Sequence, residues 1–171
     1  QLYHRDLPLI SKAIGRPIAT ALLKGRSNYL CLNRLELAST NDKFISRDLG
    51  LVRQWRHQTA TGDKTELADV PETSMVWPIV TSTIDNCLGR KCPDYQDCHV
   101  MKARQTAQES DLIVINHHLL LADLTMKEEG FAEFLPDTKV MILDEAHQIP
   151  DLAAQFFGVS VGNIELERLC N

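Results

Sequence analysis

The chain has 171 residues and a mass of 19.3 kDa, the size of one domain or of one domain carrying an insertion. With 44% hydrophobic and 24% charged residues it is globular in composition, and a net charge of -5 excludes a globally basic nucleic-acid surface, so any such contact must be local. No run approaches the roughly 18 apolar residues of a membrane span, and Gln1–Arg5 lacks the apolar core of a signal peptide, which reads as a soluble cytoplasmic protein with no membrane partner.

The sequence opens on Gln1 rather than Met and closes just past the apolar-periodic run from Ile164 to Leu169, as expected for a piece of a longer chain. Near the start, Asp6 as N-cap, Pro8 in the first turn, apolar Leu7, Ile10 and Ile14, and Gly15 as the stop predict a short helix over 6–15. The apolar run Ile18–Leu23 between Pro17 and Lys24-Gly25 predicts a buried strand.

From Gly25 to about Ser110 the texture changes. Helical patterns occur near 28–38, 46–58 and 95–109, a polar loop runs around Thr61 to Val70, and most of the cysteines fall here, which predicts an inserted lobe. Regular α/β character resumes with the apolar run Leu112–Ile115, continues as a helix through Leu124, and returns as a second apolar run, Val140–Leu143. Strand, helix, strand at that spacing predicts a βαβ unit in a parallel sheet covered on both faces, with the strand near 18–23 in the same sheet.

Asp144-Glu145-Ala146-His147 follows the second of these apolar runs directly. Ligands of open parallel sheets bind beyond the carboxyl ends of the strands, so two acids at that point suit nucleotide hydrolysis. The Asp would hold Mg²⁺ through retained water, and the Glu would orient and deprotonate the attacking water. The plain alternative is a solvated turn whose acids cap the next helix. A triphosphatase also needs the loop G-x-x-x-x-G-K-[ST], and Gly62-Asp63-Lys64-Thr65 fails that pattern because Asp63 separates Gly from Lys and no second Gly stands five residues earlier. The phosphate grip is therefore expected upstream of Gln1, and this piece alone is expected not to hydrolyse ATP.

Cysteines stand at 31, 87, 92, 98 and 170, three of them within twelve positions as Cys87-x4-Cys92-x5-Cys98. Clustered thiols in a reducing compartment favour a soft-metal site over disulfides. Structural zinc prefers paired C-x2-C knuckles, so the wider intervals favour an iron-sulfur cluster while leaving zinc open. Cys31 is a better fourth ligand than Cys170, because it begins the inserted lobe. Lys24, Arg26, Arg34, Arg90, Lys91, Lys102 and Arg104, interleaved with Tyr29, Tyr95 and His99, concentrate positive charge and aromatic rings around the thiols. As a group they suit a single strand of nucleic acid; each alone is as readily a solvated face or a counter-charge to the cluster.

Lys24–Cys31, the C-x4-C-x5-C stretch, Val114-Ile115-Asn116-His117-His118-Leu119-Leu120 and Ile142–His147, taken in order, resemble the iron-sulfur DNA helicases of the DinG/XPD type in superfamily II, and most closely their bacterial YoaA branch. The resemblance covers nearly the whole chain. It implies a partial RecA-like motor domain at 1–25 and 111–150, an iron-sulfur domain at 26–110, and the start of a further helical insertion at 151–171. It implies a 4Fe-4S cluster on Cys31, Cys87, Cys92 and Cys98, Mg²⁺ with ATP at Asp144, Glu145 as catalytic base, and His147 as a relay of nucleotide state. Arg26, Tyr29, Arg90, Lys91, Lys102 and Arg104 are the expected DNA contacts, with Asn116 and His117 at the family's strand-end Asn-His, where a capped turn is the alternative. The implied function is ATP-dependent unwinding of DNA, 5′ to 3′, at duplex junctions in replication or repair. A non-catalytic cluster- or zinc-binding nucleic-acid module and a ferredoxin-like electron carrier are the competing readings.

Overall fold

The computed structural model describes residues 2–128 and 135–158, which fall into two compact units, Gln1–Ile115 and Asn116–Asn171. In the first, a π-helical turn at Leu2–Asp6 leads into helix α1, Leu7–Ile14, with Pro8 in its first turn. Gly15 ends it at φ 76°, a left-handed conformation that glycine adopts without the Cβ penalty. Asp6 occupies the N-cap position but caps nothing; its carboxylate pairs instead with Arg5 at 2.8 Å.

Strand β1, Thr20–Leu22, pairs in parallel with β2, Leu112–Val114, in the register Thr20↔Leu112, Ala21↔Ile113, Leu22↔Val114. The predicted joining of these two segments in one sheet is met. Asp111 fixes the register: its side chain accepts from the amide of Ala19 at 3.0 Å, and its own amide donates to the Ala19 carbonyl at 2.9 Å. Among the described residues the sheet consists of these two strands, and β2 is half-buried rather than covered on both faces.

Between the strands lie helices α2 (Leu32–Leu37), α3 (Lys43–Trp55), α4 (Trp77–Val80) and α5 (His99–Gln108). The predicted single helix over 28–38 is corrected here. Arg26–Asn28 makes one 3-10 turn, and Tyr29 and Leu30 are extended, bridged antiparallel to Asp63 and Thr81, before α2 starts. Pairing with distant backbone outweighs local helix preference at those two residues. Helix α3 begins earlier than its apolar pattern indicates, because Asp42 caps it by accepting from Phe44 N at 2.8 Å and Ile45 N at 3.1 Å.

Leu30, Leu35, Leu49, Val52, Trp55, Val76, Trp77 and Val80 belong to one buried apolar cluster drawn from α2, α3, α4 and their connections. Trp55 and Trp77 meet edge to face at 6.3 Å, and the Trp77 indole donates to Pro71 O at 2.9 Å, so its one polar atom is not stranded. Arg34 on α2 donates to the carbonyls of Ile79 and Pro78, both at 3.0 Å, and so binds α2 to the C-terminal end of α4.

The second unit holds α6, His117–Glu128, a 3-10 turn at Ala146–Gln148, and α7, Ile149–Phe157. Asn116 caps α6 by accepting from Leu119 N at 2.8 Å, and His118 meets Phe156 of α7 edge to face at 6.0 Å. Asp123 is 1% exposed, accepting from Leu135 N at 3.1 Å and facing Lys127 Nζ at 3.4 Å.

Residues 140–143 do not form the predicted strand. Val140, Met141, Ile142 and Leu143 are exposed, Ile142 at 89%, and belong to no strand, so the predicted βαβ unit lacks its second strand among the described residues. A strand apolar on both faces is stable only when a neighbouring edge satisfies its amides and layers cover both faces, and sequence alone supplies neither. Of the predicted helical insertion at 151–171, residues 151–157 lie in α7, which starts at Ile149; residues beyond 158, Cys170 among them, lie outside the described residues.

Candidate metal centre and carboxylate site

Cys31, Cys87, Cys92 and Cys98 are all free thiols and all line one cavity of about 110 Å³. Each arrives by a different local device. Cys31 stands at the N-cap of α2, anchored by donation of its amide to Val80 O at 2.8 Å. Cys87 follows Asn86, whose side chain accepts from Thr83 N at 2.8 Å, and it is the most open of the set. Cys92 ends the 3-10 turn Gly89–Lys91, and Cys98 is the N-cap residue of α5. The backbone between the last two is wound tightly, Tyr95 N donating to Cys92 O at 3.1 Å and Cys98 N to Tyr95 O at 3.3 Å.

Two of the thiols therefore sit at helix starts. Burial pushes the Cys31 thiol up, the Arg34 amide pulls it down, and the charges of Cys92, Cys98 and Cys87 push it further up. Leu30, Leu88, Val100 and Met101 supply apolar wall, and Arg26, Arg34 and Arg104 bring cationic side chains to the rim.

Among the described residues, no three His, Cys, Asp or Glu side chains are grouped closely enough to hold a metal ion. A tetrahedral zinc site requires its sulfurs within about 4 Å of one another, given Zn–S bonds near 2.3 Å. Four thiols lining one cavity are a soft donor set of the kind that structural zinc or an iron-sulfur cluster takes.

The expected DNA contacts divide. Arg90 and Lys91 are exposed on the 3-10 turn beside Cys92. Lys102 is exposed and paired with Asp97 at 2.9 Å, while Arg26 and Arg104 line the thiol cavity. Tyr29 departs from expectation: it is 3% exposed, and its hydroxyl accepts from Lys24 N at 3.1 Å, so the ring has no face open for a base to stack on. Burial raises its phenol pKa, the Lys24 amide opposes that, and the Asp63 charge adds to it.

His99 directly follows Cys98, and the sequence marks it only as an aromatic neighbour of the thiols. It is 7% exposed, its Nδ1 has no hydrogen-bond partner among the described residues, and burial and then Lys102 lower its pKa. A Cβ on Gly62, which stands at φ 70°, would overlap the imidazole. The glycine's positive φ and its close approach to a ring are tertiary features that no motif in the chain announces.

In the second unit Asp144, Glu145 and His147 form a local constellation. Asp144 Oδ1 accepts from Glu145 N at 3.0 Å, and Glu145 Oε2 lies 3.4 Å from His147 Nδ1. Glu145 has φ 49° and ψ 39°, the one non-glycine residue with positive φ among those described. Such a backbone costs of order 1–3 kcal/mol and occurs preferentially at functional turns. Residues 140–143, which lead into it, belong to no strand among the described residues, and the side chains of Glu145 and His147 are 60% and 73% exposed. Asn116, the other strand-end candidate, acts as a helix cap, and His117 opens α6.

Residues 5–166 match the DEAD_2 family. The chain is 54% identical over 170 residues to the ATP-dependent DNA helicase YoaA of Escherichia coli K12, covering 97% of this chain and 27% of that protein. It is 48% identical to YoaA of Haemophilus influenzae, over 99% of this chain and 27% of that protein. Similarity extends to the ATP-dependent helicase DinG of Mycobacterium tuberculosis H37Ra, 33% identical over 88% of this chain and 25% of that protein. The chain thus spans about a quarter of the length of these relatives. With α/β architecture, a parallel strand pair and a family match over nearly its full length, this chain belongs to the DEAD_2 family.

Proposed function

We infer that this chain is part of the first motor domain of a cytoplasmic ATP-dependent DNA helicase, carrying an iron-sulfur lobe and the Asp-Glu-Ala-His motif. The observation that carries the reading is the convergence of Cys31 with the distant Cys87, Cys92 and Cys98 on one cavity. In this reading residues 1–25 and 111–150 belong to the motor, 26–110 form the cluster lobe, and 151–171 begin the next insertion.

The four thiolates would hold a 4Fe-4S cluster, which supplies a rigid covalent cross-brace to a lobe built from short helices. The chain's own residues do the rest. Arg26 and Arg104 balance the negative thiolates, while Arg90, Lys91 and Lys102 offer phosphate contacts to single-stranded DNA near a duplex junction. Asp144 would hold Mg²⁺ with ATP, Glu145 would take the proton from the attacking water, and His147, 3.4 Å from the Glu145 carboxylate, would relay the nucleotide state. Completion of the nucleotide site requires a phosphate-gripping loop that this sequence does not contain. The 5′ to 3′ direction and the service to replication or repair rest on the family resemblance.

Two measurements on the full-length protein test the reading. Iron and acid-labile sulfide per chain after anaerobic purification should approach four of each; zinc instead would favour the non-catalytic nucleic-acid module, to which the exposed setting of Asp144 and Glu145 also lends support. Glu145→Gln should abolish DNA-stimulated ATP hydrolysis while leaving DNA binding largely intact. Unchanged turnover would refute the catalytic assignment.

A further inference from the structure

Lys24 stands where the sheet ends and the cysteine lobe begins. The strand pairing runs one residue past β1, Leu23 N donating to Val114 O at 3.0 Å, and Lys24 follows. Its ammonium reaches forward to the loop of residues 59–66, meeting Asp63 Oδ2 at 2.5 Å and Thr65 Oγ1 at 3.3 Å. The two side chains of the ion pair are 24% and 16% exposed, so it is largely withdrawn from solvent. Breaking such a pair strands a desolvated charge, unlike the loss of an exposed pair, which has little effect.

Asp63 is held from both sides. Its carboxylate accepts from Thr65 N at 3.0 Å and from the Thr65 hydroxyl at 2.8 Å. Its backbone bridges antiparallel to Tyr29, and the adjacent Leu30 N donates to Gly62 O at 2.8 Å. Cys31 is the next residue. On its other side the same loop presents Gly62 to the His99 ring, and His99 follows Cys98. One short loop therefore touches the end of β1 through Lys24, the approach to Cys31 through Leu30, and the start of α5 through His99.

We propose that the Lys24–Asp63 ion pair is the tie that couples displacement of the motor sheet at β1 to the cysteine cavity, by way of the Gly62-Asp63 loop that braces the segments bearing Cys31 and Cys98. The pair acts through other residues and touches neither nucleotide nor DNA; its two members are positioning residues. The ammonium is already committed to Asp63 and Thr65, which sets Lys24 apart from the exposed Arg90 and Lys91 as a phosphate contact. Packed, hydrogen-bonded chains of this kind carry coupling between sites, and altering one link changes it several-fold.

The proposal rests on the helicase reading, and its test keeps the two apart. In the full-length protein, Lys24→Met, Asp63→Asn and the exchanged pair Lys24→Asp with Asp63→Lys are compared with wild type. The readouts are iron per chain, the visible absorption of the cluster, DNA-stimulated ATP hydrolysis, and base pairs opened per ATP consumed. The single variants should keep their iron and hydrolyse ATP within about twofold of wild type, yet open about five- to twentyfold fewer base pairs per ATP, and the exchanged pair should regain most of that loss. Unchanged unwinding per ATP in both single variants would overturn the coupling. So would loss of iron in both, which would make the pair a clamp needed for folding alone. A wild-type protein lacking iron and DNA-stimulated hydrolysis would instead overturn the helicase reading, whatever the variants do.

Discussion

The imidazole of His99 occupies the space into which a side chain at Gly62 would project. Because Gly62 also has φ 70°, Gly62→Ala carries a left-handed penalty of about 1–2 kcal/mol and an overpacking penalty of about 1–3 kcal/mol. Chemical denaturation should show that combined loss, and His99→Ala in the same chain should restore only the overpacking part. Additive destabilisation by the two substitutions would show that the contact carries no energy.

Glu145 combines a strained backbone with the proposed base. Glu145→Gly should raise the stability of its unit by about 1 kcal/mol, since glycine adopts positive φ freely, while abolishing ATP hydrolysis by the full-length protein. Thermal melts of Glu145→Gly beside Glu145→Gln separate the two effects, because glutamine removes the charge and keeps the strain. A glycine variant less stable than the glutamine one would count against stored strain at this turn.

Asp42 and Asp6 occupy equivalent positions before their helices and differ in what they do. Asp42→Ala should cost about 1 kcal/mol, because two amides of α3 lose their acceptor, whereas Asp6→Ala should change stability by less than about 0.5 kcal/mol. Equal losses in urea titrations of the two variants would mean that the hydrogen bonds to Phe44 and Ile45 are not what distinguishes them.

Asp63 sets an acid limit on the lobe. Burial opposes its ionisation, but the Lys24 ammonium and the amide and hydroxyl of Thr65 outweigh that and hold the carboxyl below its usual value. A depressed carboxyl stabilises the fold fully above its unfolded pKa near 4, and the contribution is lost as pH falls through the lower folded value. Between neutral pH and about pH 3, Asp63→Asn should therefore flatten part of the stability profile of wild type. Parallel profiles would remove Asp63 from the list of groups responsible.

Much of this molecule is written locally. Gly15 ends α1 because glycine adopts the left-handed turn without penalty, and Ile18–Leu23 and Leu112–Ile115 declare strands by composition. The spacing of Cys87, Cys92 and Cys98, and the order of the motifs, point to a family before any coordinate is seen. Each of these signals depends on residues within a few positions of one another, where φ preference, capping and periodicity act.

Other features were decided by residues far apart in the chain. Tyr29 and Leu30 follow a helical pattern but become extended because Asp63 and Thr81 offer them backbone partners, and that pairing buries the Tyr29 ring. Val140–Leu143 has the composition of a core strand and yet joins no strand among the described residues, because a strand needs an edge and a cover as well as an apolar sequence. Cys31 joins three thiols more than fifty positions away, and Lys24 finds Asp63, through closure of long loops. Sequence specifies what each of these side chains is able to bond; only the folded chain, by meeting the entropy of closing those loops, determines which partner it meets.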